Sequence, residues 1–214
     1  MEGGLDYNTA NIPENELRNV YLPPFKQALN AGVATFMASF SDLNGVPAAG
    51  NEFLMRQILR EEWSFNGFVV SDWDAIRELT VHGFTANDRD AVLEATNAGI
   101  NMEMASSLYK DHIPSLIAEG KVEEAELDSL VFGILKLKFE LGLFDNPYTD
   151  PGQFPQPVNP DHLQAARDAA ERSCVLLKND HQMLPLSRDA LGSVAVIGPL
   201  ADDGYEQLGT WVFD

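Results

Sequence analysis

The sequence predicts an α/β fold in which short parallel strands alternate with crossover helices. Three short apolar segments indicate buried strands, at residues 33–40, 68–70 and 100–104. Each is followed by apolar residues at the three- to four-residue spacing of an amphipathic helix. Strands that alternate with helices through short connections pair in parallel. Because these strands are apolar throughout, we expect both faces of the sheet to be covered.

The helical pattern begins before the first strand. Residues 14–30 carry apolar side chains at helical spacing, and Pro23 with Pro24 predicts a kink or break inside that helix. Asn44 and Gly45 predict a tight turn after the first strand. Further helices are predicted at 53–63, 88–98, 108–119 and 123–141.

The character of the chain changes after residue 144. Residues 145–160 are rich in proline and lack periodicity, which is typical of a linker or a surface wrap. A helix is predicted from Asp161 to about Lys178, and residues 193–197 are predicted to be the first strand of a second α/β domain. The predicted organisation is therefore 1–144, a linker over 145–160, and an incomplete second domain over 161–214.

Composition excludes several classes of partner. The hydrophobic fraction of 45% is enough for a packed core, and the formal charge of −19 disfavours nucleic acid and anionic membrane surfaces. No apolar stretch approaches the roughly 20 residues needed to span a bilayer. Cys174 is the single cysteine, so no internal disulfide is possible, and its apolar surroundings predict a buried thiol.

Asp72 is the strongest candidate for chemistry. It directly follows the apolar strand 68–70, which places its carboxylate at the carboxyl end of a parallel strand, where catalytic groups gather in α/β folds. Trp73 offers an apolar face on which a sugar ring can stack. The alternative is that Asp72 only caps the helix that begins near Asp74.

Other candidates are weaker. Glu103 would supply a second carboxylate for glycoside hydrolysis, and strand alternation places it on one face with Asn101. The four histidines show no metal-ligand spacing, so no metal site is predicted. Glycine-rich nucleotide-binding motifs and the GxSxG serine motif do not occur, so no cofactor is predicted.

Several segments together resemble family 3 glycoside hydrolases of the β-glucosidase type. They include EGGLDYNTANI, FNGFVVSDWDAI, NAGINMEM, AERSCVLLKND and VAVIGPLADD, in the order of the family and across essentially the whole chain. The resemblance implies the C-terminal portion of a (β/α)8-type barrel in residues 1–144, then the linker and the start of an α/β sandwich domain.

The resemblance also implies roles for individual residues. Asp72 of the S-D-W motif is similar to the nucleophile of the family, and Trp73 to its tryptophan at the sugar-binding subsite. Met37 and Phe40 resemble residues that line the same pocket, although some members have a tyrosine where Phe40 stands. Asn101 stands where many members have aspartate.

Other site residues of the family fall outside this chain. Its sugar-binding Lys-His pair would precede Met1, and its acid/base glutamate would follow Asp214, so we expect negligible activity and poor solubility for these residues alone. The implied function is that of a retaining, exo-acting β-glucosidase with a small saccharide as substrate. The alternatives are a β-xylosidase or a non-catalytic carbohydrate-binding remnant. The resemblance suggests a periplasmic or secreted location, with a cytoplasmic one as the alternative.

Overall fold

A computed structural model describes residues 4–5, 9–153 and 159–209. The chain divides into two units, Met1–Thr149 and Asp150–Asp214. This division falls inside the segment 145–160 that the sequence predicts to be a linker. The domain assignments on either side of it stay predictions.

The first unit is built on a parallel sheet of three strands. The described strands of this unit are β1 (Thr35–Ala38), β2 (Asp42–Leu43), β3 (Val46–Pro47), β4 (Phe68–Trp73) and β5 (Met102–Met104). The order in the three-stranded sheet is β1-β4-β5, and both pairings are parallel. A second, two-stranded ladder joins β2 to β3 in antiparallel fashion. The predicted parallel α/β arrangement is therefore confirmed, with β1, β4 and β5 near their predicted positions, whereas β2 and β3 were not predicted as strands.

The turn between β2 and β3 confirms the prediction at Asn44-Gly45. Both residues have positive φ, 54° and 86°, which is the geometry of a two-residue hairpin turn and the reason that asparagine and glycine occupy it. Asp42 stabilises the turn, because its Oδ1 accepts a hydrogen bond from the Gly45 amide at 2.9 Å.

The predicted break in the first helix is also confirmed. A short helical turn, α1 (Glu14–Glu16), runs into a π-helical turn (Leu17–Tyr21), and α2 (Pro23–Asn30) follows. Proline has no amide hydrogen and its ring clashes with the carbonyl four residues earlier, so the regular helix cannot pass through Pro23. The chain instead closes a wider turn, in which the Leu22 amide bonds to the Leu17 carbonyl at 2.9 Å.

The remaining helices of the first unit cover one side of the sheet. The expectation that both faces are covered is wrong, because Met37 and Met102 on the other side are 55% and 47% exposed. The four helices predicted in this part of the chain lie close to their predicted positions, and Gly99 ends the predicted helix 88–98 in a left-handed conformation with φ 83°. The elements are a 3-10 turn (Ala48–Gly50), a π-helix (Phe53–Glu62), α3 (Ala75–Val81), α4 (Asp88–Ala98), α5 (Leu108–Ala118) and α6 (Glu124–Glu140). The 3-10 turn Pro151–Gln153 belongs to the second unit.

The core lies between the parallel sheet and these helices. Val69 of β4 is fully buried, as are Ile76 of α3 and Val92 of α4. Complete burial of each such side chain stabilises the fold by about 1.5–3 kcal/mol. The core thus holds the carboxyl end of β4 against α3, the helix that follows Asp72.

In the part of the second unit that the structure describes, one helix is regular and the predicted strand is absent. Helix α7 (Pro160–Ser173) begins at Asn159, whose side chain accepts the Asp161 amide at 2.8 Å, and it ends earlier than predicted. Three 3-10 turns follow, at Asp180–Gln182, Arg188–Ala190 and Glu206–Leu208.

Two predictions for the second unit are corrected. Residues 193–197 form irregular chain, and none of the residues 159–209 is in a strand. A strand needs a neighbour to accept its backbone hydrogen bonds, and this part of the chain supplies none. Cys174 is exposed rather than buried, because no core forms around it. Throughout the described residues, no helix has the length and apolar character required to cross a membrane.

Candidate active site

The carboxyl end of β4 contains a β-bulge at the predicted nucleophile. Val70 pairs with Met102 and Trp73 pairs with Met104, so two residues of β4 lie opposite Glu103 alone. These two residues are Ser71 and Asp72. Such bulges bend a strand and re-aim side chains, and they occur often beside active sites.

The hydroxyl of Ser71 replaces a backbone group in the interrupted ladder. The Met104 amide donates to Ser71 Oγ at 2.9 Å, and Ser71 Oγ donates to the Asp72 carbonyl at 2.9 Å. Regular pairing then resumes one residue on, where the Asp74 amide donates to the Met104 carbonyl at 3.0 Å. The Ser71 hydroxyl therefore joins β4 to β5 at the bulge, directly before the backbone bond of Asp74.

The structure does not support a capping role for Asp72. Its Oδ1 accepts the amide of the next residue, Trp73, at 2.7 Å, and its side chain is half-buried. Helix α3 begins at Ala75, and its cap position is held by Asp74 in a left-handed conformation with φ 54°. The carboxylate of Asp72 is thus held near the strand end rather than committed to the helix.

Met37 and Trp73 lie on the same face of the sheet. Met37 is in register with Val70, which is in register with Met102, so these side chains form one row across the sheet. Because of the bulge, Trp73 is level with Met104 and joins the next row on that face. Met37 is 55% exposed and Trp73 is 61% exposed, so this face is accessible beside Asp72.

Phe40 lies near the same end of the sheet. It comes just after the last residue of β1, and parallel strands present their carboxyl ends at one edge. Its side chain is half-buried. All four candidate residues therefore occupy β4, β1 or the turn that follows β1, and their roles toward a sugar stay predictions.

Glu103, considered from the sequence as a second carboxylate, is committed elsewhere. Its Oε2 accepts the Ser106 hydroxyl at 2.6 Å and its Oε1 accepts the Tyr109 amide at 3.1 Å. Both partners belong to the beginning of α5 and the loop before it. Strand alternation puts Met102 and Met104, rather than Glu103, on the exposed face.

Asn101 is a structural residue of the same strand region. Its Oδ1 accepts the Val69 amide at 2.8 Å and Arg60 Nη2 at 2.7 Å, and its Nδ2 donates to the Leu130 carbonyl at 2.8 Å. It therefore ties β4 to α6 and to the π-helix Phe53–Glu62. This role was not predicted, because the alternation of side chains along the strand only grouped Asn101 with Glu103.

Together with burial, the carboxylate of Asp72 contributes to the raised pKa of Glu78, a residue that was not predicted from the sequence. Burial raises the pKa of Glu78 on α3, and the carboxylates of Asp74 and Asp72 raise it further, while nearby His82 opposes the shift. Glu78 Oε2 lies 4.0 Å from His82 Nε2. A helical partner four residues from Asp74 is visible in the sequence, but its burial is not.

In the part of the chain that the structure describes, neither an apolar cavity nor a metal-binding cluster adds a reactive group beside Asp72. An apolar cavity of about 450 Å³ lies between the π-helices and β1, but its one carboxylate, Asp42, is engaged by the Thr9 hydroxyl at 2.7 Å and by the Gly45 amide. Within the described residues, no group of three or more His, Cys, Asp or Glu side chains is placed to hold a metal ion.

Comparisons with known proteins identify the family. The model of the glycosyl hydrolase family 3 N-terminal domain matches residues 1–137. The chain is 42% identical to the periplasmic β-glucosidase of Salmonella typhimurium, over 99% of this chain and 28% of that protein. It is 33% identical to a β-xylosidase of Formosa agariphila, over 97% of this chain and 30% of that protein. The chain thus spans less than a third of the length of these curated relatives.

Solved structures agree with the sequence comparisons. The β-glucosidase from Listeria innocua in complex with glucose superposes with a TM-score of 0.79 and 38% identity, over 87% of this chain and 26% of that one. A β-glucosidase of saponin metabolism from intestinal bacteria gives a TM-score of 0.86 and 32% identity, over 99% of this chain and 28% of that one. These likenesses confirm the barrel-type α/β fold expected from the sequence. The chain belongs to glycosyl hydrolase family 3.

Proposed function

We propose that this chain carries the nucleophile of a retaining β-glucosidase, and that Asp72 is that nucleophile. One observation carries the proposal. A bulge at the carboxyl end of β4 holds the Asp72 carboxylate beside the exposed Trp73, on the strand end where catalytic groups collect in β/α barrels.

The proposed reaction has two steps. First, an Asp72 carboxylate oxygen attacks the anomeric carbon, the bond from that carbon to the leaving oxygen breaks, and a carboxylic acid gives the leaving oxygen its proton. Second, water attacks the glycosyl ester, the same acid group takes a proton from that water, and the sugar and the free Asp72 carboxylate are released. Because Glu103 is bonded to Ser106 and Tyr109 at the beginning of α5, we propose a carboxyl group other than Glu103 as the acid.

The proposed substrate is a terminal β-D-glucosyl group. Support comes from the Salmonella relative, a β-glucosidase, and from the Listeria enzyme, whose structure holds glucose. The β-xylosidase alternative is supported by the Formosa agariphila relative and by a β-xylosidase structure with 29% identity.

For the cellular compartment of the protein we propose the periplasm, as for the Salmonella relative. Fractionation of the source cells tests the proposed compartment. β-Glucosidase activity found only in the cytoplasmic fraction would contradict it.

The test places these residues in a complete site. Residues 1–214 replace the matched segment of the Salmonella β-glucosidase, and we call the product the grafted enzyme. We expect it to hydrolyse an aryl β-glucoside faster than the matching β-xyloside. Asp72→Asn keeps the shape of the side chain but removes the nucleophilic charge, so we expect kcat to fall by about 1,000-fold or more.

A matched control and a chemical readout sharpen this test. Asp128→Asn changes an exposed carboxylate on α6 in the same way, and we expect full activity from it. A slow 2-deoxy-2-fluoroglucoside should leave its sugar on the peptide that contains Asp72, as seen by mass spectrometry. A label on any other carboxylate, or an active Asp72→Asn enzyme, contradicts the proposal. A folded grafted enzyme that binds glucose without hydrolysis favours the carbohydrate-binding alternative.

A further inference from the structure

Ser71 is unusual among the buried polar side chains of the described residues. These side chains are Asn51, Ser71, Thr96 and Asn101. Asn51 accepts the Leu54 amide at 3.0 Å, and Thr96 donates to the Val92 carbonyl of its own helix at 2.7 Å. Only Ser71 is placed inside an irregularity of the sheet, directly before the proposed nucleophile.

The hydroxyl of Ser71 makes two bonds that depend on the bulge. It accepts from the Met104 amide and donates to the Asp72 carbonyl, both at 2.9 Å. A hydroxyl is both donor and acceptor, so a single small side chain meets both backbone groups. Ser71 is completely buried, so water cannot replace either bond without a change in the packing.

The alternative to the bulge is a regular ladder. Regular pairing onward from Val70–Met102 would bring Asp72, instead of Trp73, level with Met104. A shift of one residue moves every following side chain to the opposite face of the sheet. Trp73 would then point to the helix-covered side, and the direction of the Asp72 carboxylate would change with it.

We propose that Ser71 is a positioning residue, which locks the bulge and thereby fixes the direction of the Asp72 carboxylate toward the sugar. This inference rests on the proposed role of Asp72 as nucleophile. Ser71 does not touch the substrate. It acts through the backbone of Asp72 and through the register between β4 and β5.

The test compares three substitutions at Ser71 in the grafted enzyme. Ser71→Ala removes both bonds and little volume, Ser71→Cys keeps a weak donor and acceptor, and Ser71→Thr keeps the hydroxyl. Since a displacement of about 1 Å reduces an attack about 100-fold, we expect Ser71→Ala to lower kcat/KM by roughly 10- to 100-fold for a β-glucoside with a poor leaving group. We expect Ser71→Thr to restore most of the loss and Ser71→Cys to fall between the two.

Two further measurements separate positioning from general damage. The inhibition constant of glucose should stay essentially unchanged in Ser71→Ala, because binding of the sugar does not require the attack geometry. Hydrogen exchange of the Met104 amide should become faster, while the Asn101 amide, which donates to the Val69 carbonyl at 2.9 Å, keeps its protection. The control is Thr96→Val, which removes a hydroxyl that is 1% exposed from α4 and should lower stability without lowering kcat/KM.

The outcomes are distinct. Ser71→Ala with the parent kcat/KM, or with a parallel loss of glucose binding, overturns the inference, and so does a Met104 amide with unchanged exchange. If Ser71→Ala does not fold, Ser71→Cys decides: activity equal to that of the parent overturns the inference. An inactive Asp72→Asn beside a fully active Ser71→Ala refutes only the role of Ser71, whereas an active Asp72→Asn refutes the nucleophile itself.

Discussion

The two halves of strand β4 differ in how they are held. Phe68, Val69 and Val70 continue a regular parallel ladder with β1, and Val70 also pairs in register with β5. Ser71, Asp72 and Trp73 depart from the register with β5. There the Ser71 hydroxyl, rather than a backbone carbonyl, accepts the Met104 amide. Under the proposed function, one strand therefore separates two tasks: its first half carries the fold, and its second half positions the proposed nucleophile.

The first half is fixed from several elements at once. Asn101 bonds to the Val69 amide, to Arg60 and to the Leu130 carbonyl of α6. Helix α6 comes close enough because Gly133 has no side chain: a Cβ there would lie 3.0 Å from Asn101 Nδ2 and 3.3 Å from the Gly67 carbonyl. Substitutions in this half should therefore change stability first, and activity only as a result.

The largest effect is expected at Asn101. Asn101→Ala removes the acceptor of the Val69 amide, in a position that is 8% exposed, and it also removes one bond each from the Leu130 carbonyl and from Arg60, which keeps the Gly67 carbonyl at 3.2 Å. An orphaned buried amide costs about 1–3 kcal/mol and each further lost bond about 1 kcal/mol, so we expect a loss of about 3 kcal/mol in the free energy of unfolding. Urea unfolding of the grafted enzyme, followed through the transition of its barrel domain, measures the loss.

Two variants delimit this prediction. Asn97→Ala removes the same side chain from an exposed position of α4, and we expect a change within about 0.5 kcal/mol. Asn101→Asp keeps the acceptor and faces Arg60, so it should retain most of the stability. If Asn101→Ala unfolds at the same urea concentration as the parent, the hydrogen bonds of Asn101 do not hold the regular half of β4.

A smaller effect, on activity rather than stability, is expected at Trp73. Its side chain is 61% exposed, so Trp73→Ala should change the free energy of unfolding by less than about 0.5 kcal/mol. Loss of the proposed stacking surface should lower kcat/KM for an aryl β-glucoside by roughly 10-fold in the grafted enzyme. Trp73→Phe keeps an aromatic face and should recover part of it. A large loss of stability in Trp73→Ala would erase the contrast between the two halves.

The regular half was predictable from the sequence, and the bulged half was only partly so. Apolar runs placed the strands at 68–70 and 100–104, and helical periodicity predicted 88–98 with its terminal glycine. These features are local, since they depend on side-chain spacing along one element. The predicted position of Asp72 at a strand end needed no more than this.

The bulge could not be predicted, because it is a relation between two strands. Nothing in S-D-W states that Ser71 bonds to Met104, since the partner lies in a strand more than thirty residues on. For the same reason Glu103 was considered as a site residue, although its carboxylate serves the beginning of α5. The strand predicted at 193–197 was wrong for a related reason, because an apolar run becomes a strand only where a neighbour pairs with it.

The smallest effect is expected at Glu78, which tests whether the charge of the bulged half reaches into α3. Burial raises the pKa of Glu78 in the folded state, with further contributions from Asp74 and Asp72. The folded state then binds more protons than the unfolded one between the two pKa values, so stability declines as pH rises through that window. Glu78→Gln cannot ionise, so its stability should not show this decline.

In thermal unfolding of the grafted enzyme, we expect Glu78→Gln to be slightly more stable than the parent at neutral pH. The advantage should disappear below about pH 4.3, where glutamate is protonated in both states. Glu124→Gln, which removes a carboxylate from an exposed position of α6, is the matched control. Repeating the comparison in the Asp72→Asn background should shrink the advantage, because one of the neighbouring negative charges is then gone; an unchanged advantage would mean that the charge on Asp72 does not extend to α3.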